Sequence, residues 1–312
     1  MSDLPLVSVV IPCLNRAHYL VPTIESVLLQ NYPFVECIVM DGGSTDGTQG
    51  ILKSYGDRIR WVSKPDNGHA DAINQGWWMS KGDILAWLNA DDLYVIPDAI
   101  GKAATYLHSN PNVDLIYGDF AEISESGEAV TDITRPLQWD LVQAVEHCDY
   151  IIPQPTSFIR RSILEKVGWL DVEFRYCKDQ DLYLRIGLVG VIRYEPLFLA
   201  YVRRCRGLSQ QLDTGKAKVE LTKKFFRQPG LPSPFDSKKF QRRALSNAYL
   251  TGGVYTWIGS KNLVCTMEFV VRSVVSDPIN GFHILGIMLR VILREALPQR
   301  LRKGIKEHLK MM

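Results

Sequence analysis

Residues 86–95, AWLNADDLYV, decide how this chain has to be read. An apolar run of strand type ends there in Asn89 and two adjacent carboxylates, Asp91 and Asp92. Bare neighbouring carboxylates repel, so they need solvent, a helix N-terminus or a cation to hold them. The segments on either side repeat one arrangement. LVSVVIP (6–12) is a continuous β-branched run, as a strand buried on both faces requires. A helical stretch, 18–30, follows. VECIVMDGG (35–43) is a second strand, stopped by Asp41 and two glycines. STDGTQGILKSYG starts at a capping residue, Ser44 or Thr45, and continues as a helix. IRWVSKPD is a third strand, GHADAINQGWWMS a helix and DILAWLNADD a fourth strand. A helix over 97–109 and a fifth strand, VDLIYGDF, complete the series.

This alternation predicts an α/β fold, a Rossmann-like, mostly parallel sheet with helices on both faces. Such sheets bind ligands beyond the carboxyl ends of their strands. Those ends carry Pro12-Cys13-Leu14-Asn15, Asp41-Gly42-Gly43, Lys64-Pro65-Asp66-Asn67 and Asn89-Ala90-Asp91-Asp92. Each cluster alone is ordinary turn chemistry. Four on one rim, three of them with carboxylates, point to a binding site. Asp91 and Asp92 suit a hard divalent cation, Mg²⁺ or Mn²⁺, with substrate phosphates and water completing its shell. Asp71, near the start of its helix, also favours the helix dipole.

The 312 residues allow one large domain or two smaller ones. A formal net charge of +2 argues against a nucleic-acid coat. The charge is uneven: Arg290 onward carries seven Lys/Arg and two Glu, +5, leaving −3 elsewhere. The six cysteines form no C-x-x-C pair and read as reduced thiols of a cytosolic protein. MSDLPLVSVVIPC has no basic run before its apolar one and reads as the start of a strand, not a leader. No window reaches the length of a membrane span.

VSVVIPCLNRAHYLVPTIESVLLQNYPFVECIVMDGGSTDGT, followed by DNGHADAINQGWWMSKGDILAWLNADD, resembles the family 2 glycosyltransferases of GT-A fold. IPQPTSFIRRSILEKVGWLDVEFRYCKDQDLYLRIG extends the likeness to about residue 209, with RRCRGLS as a weaker final match. The resemblance implies an inverting transfer of one sugar from a nucleotide-diphosphate sugar, with UDP the expected nucleotide. It places Pro12 and Asn15 against the nucleoside, Asp41 on the base, and Lys64, Asn67 and Asp71 in the third donor-binding segment. Asp91 becomes the main metal ligand, with Asp92 following it. Asp179 becomes the general base, and its spacing before LYLRIG also suits a helix N-cap. Asp181 is the rival carboxylate, read as structural.

Three departures stand out. Asn89 replaces a first Asp and brings no charge, though it can still bond a ribose hydroxyl. Lys178 stands where an acidic residue often precedes the base. Arg206 stands where the family often has His, and Arg204 and Arg206 suit either a diphosphate or a solvated turn. No Q-x-x-R-W segment of processive synthases is present.

The expected organisation is a transferase domain over 1–227, divided into a nucleotide-sugar-binding half, 1–120, and an acceptor and base half, 121–227. A proline-rich linker, 228–237, and a helical C-terminal region, 238–312, follow. Residues 279–312 set an apolar stretch beside a basic one. They suit an anionic membrane surface, or packing on the core or on a second subunit. The expected function is metal-dependent hexosyl transfer to a saccharide or polyprenyl-linked acceptor in surface polysaccharide or lipopolysaccharide synthesis. The expected place is cytoplasmic, with the membrane's cytoplasmic face as the option the tail raises. A non-catalytic nucleotide-sugar binder and a sugar nucleotidyltransferase are the alternatives. The loop CLNRAHYL, without glycine, speaks against the latter.

Overall fold

The computed structural model describes residues 4–148, 152–204, 212–260, 262–279 and 286. The chain divides into two compact units: Met1–Ala144 with Asp149–Arg206, and Val145–Cys148 with Gly207–Met312.

The first unit is built on one sheet. In chain order its elements are β1 (Val7–Cys13), α1 (Ala17–Leu28), β2 (Val35–Asp41), α2 (Thr48–Ser54), β3 (Arg60–Ser63), α3 (His69–Met79), β4 (Ile84–Trp87) and β5 (Leu93–Tyr94). There follow α4 (Ala99–Ser109), β6 (Leu115–Ile123), α5 (Leu141–His147, whose last three residues belong to the second unit), β7 (Phe158–Arg160), α6 (Arg161–Val167), α7 (Lys178–Val189) and β8 (Ile192–Arg203). The strand order is β3-β2-β1-β4-β7-β6-β8-β5. Every residue of β1 is buried, as its unbroken apolar run demands. Its side chains alternate between two cores. Val7, Val9 and Ile11 meet Leu20 and Ile24 of α1 and Leu107 of α4. Val10 meets Ile73 and Trp77 of α3, in a cluster that also holds Leu182 and Ile186 of α7. Helices therefore cover both faces, as the α/β pattern predicts.

The sheet is less uniform than expected. Four strands, β3-β2-β1-β4, are parallel neighbours. The three-residue β7 then lies antiparallel between β4 and β6. β8 runs parallel to β6, and β5 closes the edge antiparallel to β8. Six of the eight strands point one way, so the sheet stays mostly parallel. The strand read from VDLIYGDF is β6, separated from β4 by β7.

Two local starts also differ from expectation. α2 begins at Thr48 after Gly47, whose φ of 98° puts it in the left-handed region, so Ser44 and Thr45 do not cap it. α7 begins after Cys177 at φ 60°, which leaves Asp179 inside the first turn and not at the cap. Val189, the last residue of α7, is half exposed.

The second unit contains α8 (Leu212–Phe226), α9 (Lys238–Ser260) and α10 (Leu263–Ser276). The unit boundary thus precedes α8, and 228–237 is a turn within the helical unit. It is packed, not extended: Phe235 is buried, with its ring 5.2 Å from Phe225 and 5.5 Å from Phe240. No helix among the described residues is long and apolar enough to cross a membrane.

Candidate functional site

Register brings the strand ends together. Cys13 pairs with Asp41, and Asp41 with Ser63, so β1, β2 and β3 stop side by side. Asp41 is buried there, and both its oxygens are occupied. Ser44 donates its N–H at 3.1–3.2 Å and its hydroxyl, and the Ser63 hydroxyl donates at 2.5 Å. Ser44 Oγ in turn accepts the Asn15 N–H at 2.7 Å, while Asn15 Oδ1 accepts from Thr45 N–H at 2.9 Å. Asn15 adopts φ 52°, a left-handed conformation that asparagine tolerates better than most residues. Pro12 is buried beneath this corner. Lys64 is exposed and lines a shallow crevice with Met40, Asp41, Asp66, Ala72 and Gln75.

Asn67 and Asp71 meet each other. Asp71 Oδ2 accepts from Asn67 N–H at 2.9 Å and from Gln75 Nε2 at 2.9 Å, fastening the first turn of α3. The same turn carries His69, whose Nε2 lies 3.1 Å from Asn89 Oδ1. α3 thereby joins the β2–β3 corner to the loop after β4.

That loop is held from four sides. Thr23 of α1 donates to the carbonyls of Ala90 and Asp92 at 3.0 and 2.9 Å. Asn89 Nδ2 donates to Asp92 Oδ2 at 2.8 Å and to Gln154 Oε1 at 3.1 Å, and Gln154 Nε2 donates to Trp87 O at 2.7 Å. Arg203, at the end of β8, donates its N–H to Asp92 Oδ1 and its Nε to Asp91 O, both at 2.9 Å. Its guanidinium also bonds the Ser124 and Glu125 carbonyls and lies 5.0 Å from the Tyr19 ring centre. Asp92 is buried; burial first, and then the neighbouring Asp91 charge, push its carboxyl up to about 7, against the bonds from Arg203 and Asn89. Asp91 is partly exposed.

Asp179 enters from α7. The packing around the His69 imidazole, and then the charge of Lys178, the neighbour of Asp179, hold His69 below its ordinary range. Among the described residues the Asp179 carboxylate accepts no hydrogen bond. Asp181 differs: it is buried and paired with Arg185 at 2.8 Å. Arg185 also ties down the Val167, Gly168 and Trp169 carbonyls, so Asp181 is structural. Arg204 is engaged with Glu122, and Arg206 lies outside the described residues.

Among the described residues no three His, Cys, Asp or Glu side chains gather to cage a metal. A cation held through Asp91, with substrate oxygens filling the shell, fits this arrangement; Asp92, expected as a second ligand, is buried with its oxygens accepting from Arg203 N–H and Asn89 Nδ2, and stands beside the cation without an open oxygen. Mg²⁺-type sites commonly use only one or two protein carboxylates.

A family model described as glycosyl transferase family 2 matches residues 8–168, just over half of the chain. The chain belongs to this family. A Rickettsia typhi protein named as an uncharacterized glycosyltransferase is 30% identical over 203 residues, 61% of this chain and 61% of that protein. A Rickettsia felis relative with the same description is 31% identical over 202 residues, 62% of this chain and a third (33%) of that one. A PGL/p-HBAD biosynthesis glycosyltransferase of Mycobacterium bovis is 28% identical over 216 residues, 67% of this chain and 80% of its own length. Among solved structures, S. aureus TarS 1–349 in complex with UDP-GlcNAc superposes with a TM-score of 0.65 at 14% identity, covering 89% of this chain and 83% of that one. A mannosyltransferase from Pyrobaculum calidifontis in complex with GDP-Man and Mn²⁺ gives 0.61 at 17%, covering 92% and 81%. At these identities the structural likeness establishes the GT-A fold.

In this family 2 chain, sequence reasoning missed His69, Gln154 and Arg203. His69 lies at the start of α3, and its partner Asn89 is 20 residues away. Arg203 is 112 residues from Asp91 and stands beside Arg204 and Arg206, so nothing local marks it out.

Proposed function

We propose that this family 2 member transfers a single sugar, with inversion, from a nucleotide-diphosphate sugar to a hydroxyl of a saccharide or lipid-linked acceptor. The observation that carries the reading is the core shared by α3 and α7: α3 carries His69, bonded to Asn89 of the Asp91–Asp92 loop, and α7 carries Asp179. An inverting displacement needs these two groups on separate elements. Asp179 takes the proton of the acceptor hydroxyl as its oxygen bonds the anomeric carbon, and the bond from that carbon to the diphosphate breaks with its electrons. A divalent cation held by Asp91, with Asp92 beside it, would supply positive charge to the leaving diphosphate. Pro12, Asn15, Asp41, Lys64, Asn67 and Asp71 are the proposed nucleoside side of the site, and Asn89 the proposed ribose contact. UDP is the favoured nucleotide; TarS, with the same fold, was solved with UDP-GlcNAc.

The test is a panel of UDP-, GDP- and dTDP-sugars with Mg²⁺ or Mn²⁺, following nucleoside diphosphate release. Turnover of one donor, abolished by EDTA and in Asp91→Ala and Asp179→Ala, is expected. Pyrophosphate release would instead make the protein a nucleotidyltransferase. Nucleotide binding without turnover in the presence of acceptors would make it a binder.

The surface polysaccharide role and the cytoplasmic membrane face remain part of this proposal. Of residues 280–312 only Gly286 is among the described ones. The support is their charge of +5 and the exposed Val264, Met267, Val271, Val275 and Ile279 along and just beyond α10. Neutralising Arg300, Arg302, Lys303 and Lys306 should release the protein from anionic vesicles; unchanged binding rejects the idea.

A further inference from the structure

The sheet topology places a carboxylate outside the site described so far at the same end of the sheet as Asn89. Leu85 of β4 and Leu115 of β6 both pair with Ile159 of the intervening β7. Asn89 lies four residues beyond Leu85, and Asp119 four beyond Leu115, with β4 and β6 pointing the same way. β4 and β6 lie two strand spacings apart, roughly 10 Å. Asn89 follows the end of β4, Asp119 sits at a register shift between β6 and β8, and both reach partners on the sheet face that α3 covers. Asn89 reaches His69 of α3 there, and Asp119 accepts the Tyr194 hydroxyl at 2.6 Å. Both α3 and Tyr194 pack on the same core as Leu182 and Tyr183 of α7, the helix that carries Asp179. Gln154 stands between the two positions in the fold: it bonds Asn89, and Thr156 of the same short turn accepts from Gly118 N–H.

Asp119 is only 5% exposed. One oxygen holds Tyr194. The other has Arg135 Nε at 3.8 Å, beyond hydrogen-bond distance, and accepts no hydrogen bond among the described residues. Arg135 is largely exposed and contributes little to holding the carboxylate. The segment that carries Arg135 is pinned over β6 through the Phe120–Thr134 bridge and the Tyr117 hydroxyl on Leu137 O. A largely buried carboxylate with one oxygen that accepts no hydrogen bond, on the sheet face that α7 covers, matches a ligand rich in hydroxyls.

We propose that Asp119, oriented by Tyr194, binds the acceptor by accepting a hydrogen bond from a saccharide hydroxyl, on the far side of Gln154 from the nucleotide. This rests on the transferase reading above. The test uses Asp119→Asn, which keeps an oxygen for Tyr194 but loses the charge, and Tyr194→Phe. UDP affinity is measured by calorimetry with Mg²⁺. Binding of p-nitrophenyl glycosides to the UDP-loaded protein is measured by saturation-transfer NMR, and transfer to the one that binds is followed kinetically. The expected result is unchanged UDP affinity in both variants, with acceptor KM raised about 10- to 100-fold in Asp119→Asn and less in Tyr194→Phe. Wild-type acceptor affinity in Asp119→Asn overturns the proposal. So does a fall in kcat at constant KM, which would make Asp119 the base, or the absence of any glycoside signal from wild type that binds UDP. Wild type that binds no nucleotide defeats the transferase reading itself, a different outcome from any of these.

Discussion

The two ends of the rim use their carboxylates in opposite ways. At the β1–β2 corner both oxygens of Asp41 face protein donors, and Asp46 ties Ala17 N–H to the start of α2 through Thr48. Toward α7, Asp179 accepts no hydrogen bond among the described residues, and Asp119 keeps one oxygen open. The first arrangement is a frame. Removing a member strands buried donors, each costing about 1–3 kcal/mol. The second arrangement leaves acceptors for a substrate. A carboxylate's use is therefore read from the donors around it more than from its place in a motif.

The largest effect should come from Asp179→Asn. Sugar transfer is expected to fall about 10²- to 10⁴-fold while UDP affinity stays constant. An equal loss of UDP affinity would place Asp179 in the frame and break the contrast. Asp91→Ala should lower turnover about 10²- to 10³-fold and raise the Mn²⁺ concentration needed for half-maximal rate; a rate indifferent to EDTA in wild type would remove the cation from the reading. Asp41→Ala belongs to the other class. Its urea midpoint should drop by the equivalent of about 1–3 kcal/mol, whereas Asp179→Ala should move it by less than about 0.5 kcal/mol. Matching stability losses in the two would erase the distinction.

The smallest effect sharpens the contrast at the other end of the sheet. Burial pushes the Glu36 carboxyl up, but bonds from the Ser8 hydroxyl, Lys81 N–H and Arg60 outweigh it and hold the group below its usual range. Folding therefore favours its ionised form. The stability this contributes is present above the ordinary glutamate range and fades as pH falls through the lowered folded value. Glu36→Gln should flatten that acid-side slope and cost about 1 kcal/mol at neutral pH. A wild-type slope in the variant would dismiss Glu36 as its source.

What could be read from residues alone follows from how local each signal is. β1 and β2 announce themselves because burial on both faces needs an unbroken apolar run. The loop after β4 stands out through Asp91 and Asp92. β7 does not, because three residues, Phe158–Arg160, carry no period, and their partners are more than forty residues away. Asp41 is conspicuous at its strand end, yet its occupancy depends on Ser63, 22 residues later. Asp119 reads as one position in an alternating strand. Only the pairing of Leu85 and Leu115 through Ile159 brings it to the same end of the sheet as Asn89. The cap expected at Asp179 fails because Cys177 takes the left-handed turn into α7, a backbone choice that composition does not reveal.

The late arrival of β7 has a consequence for synthesis. A nascent chain of 120 residues already holds β1 to β4 and most of β6, but the strand that fills the gap between β4 and β6 has not been made. Both strands then present unpaired backbone edges, the kind that seek other chains. The first 120 residues should therefore misbehave when expressed as a fragment, and the sheet can close only after residue 160 has left the ribosome.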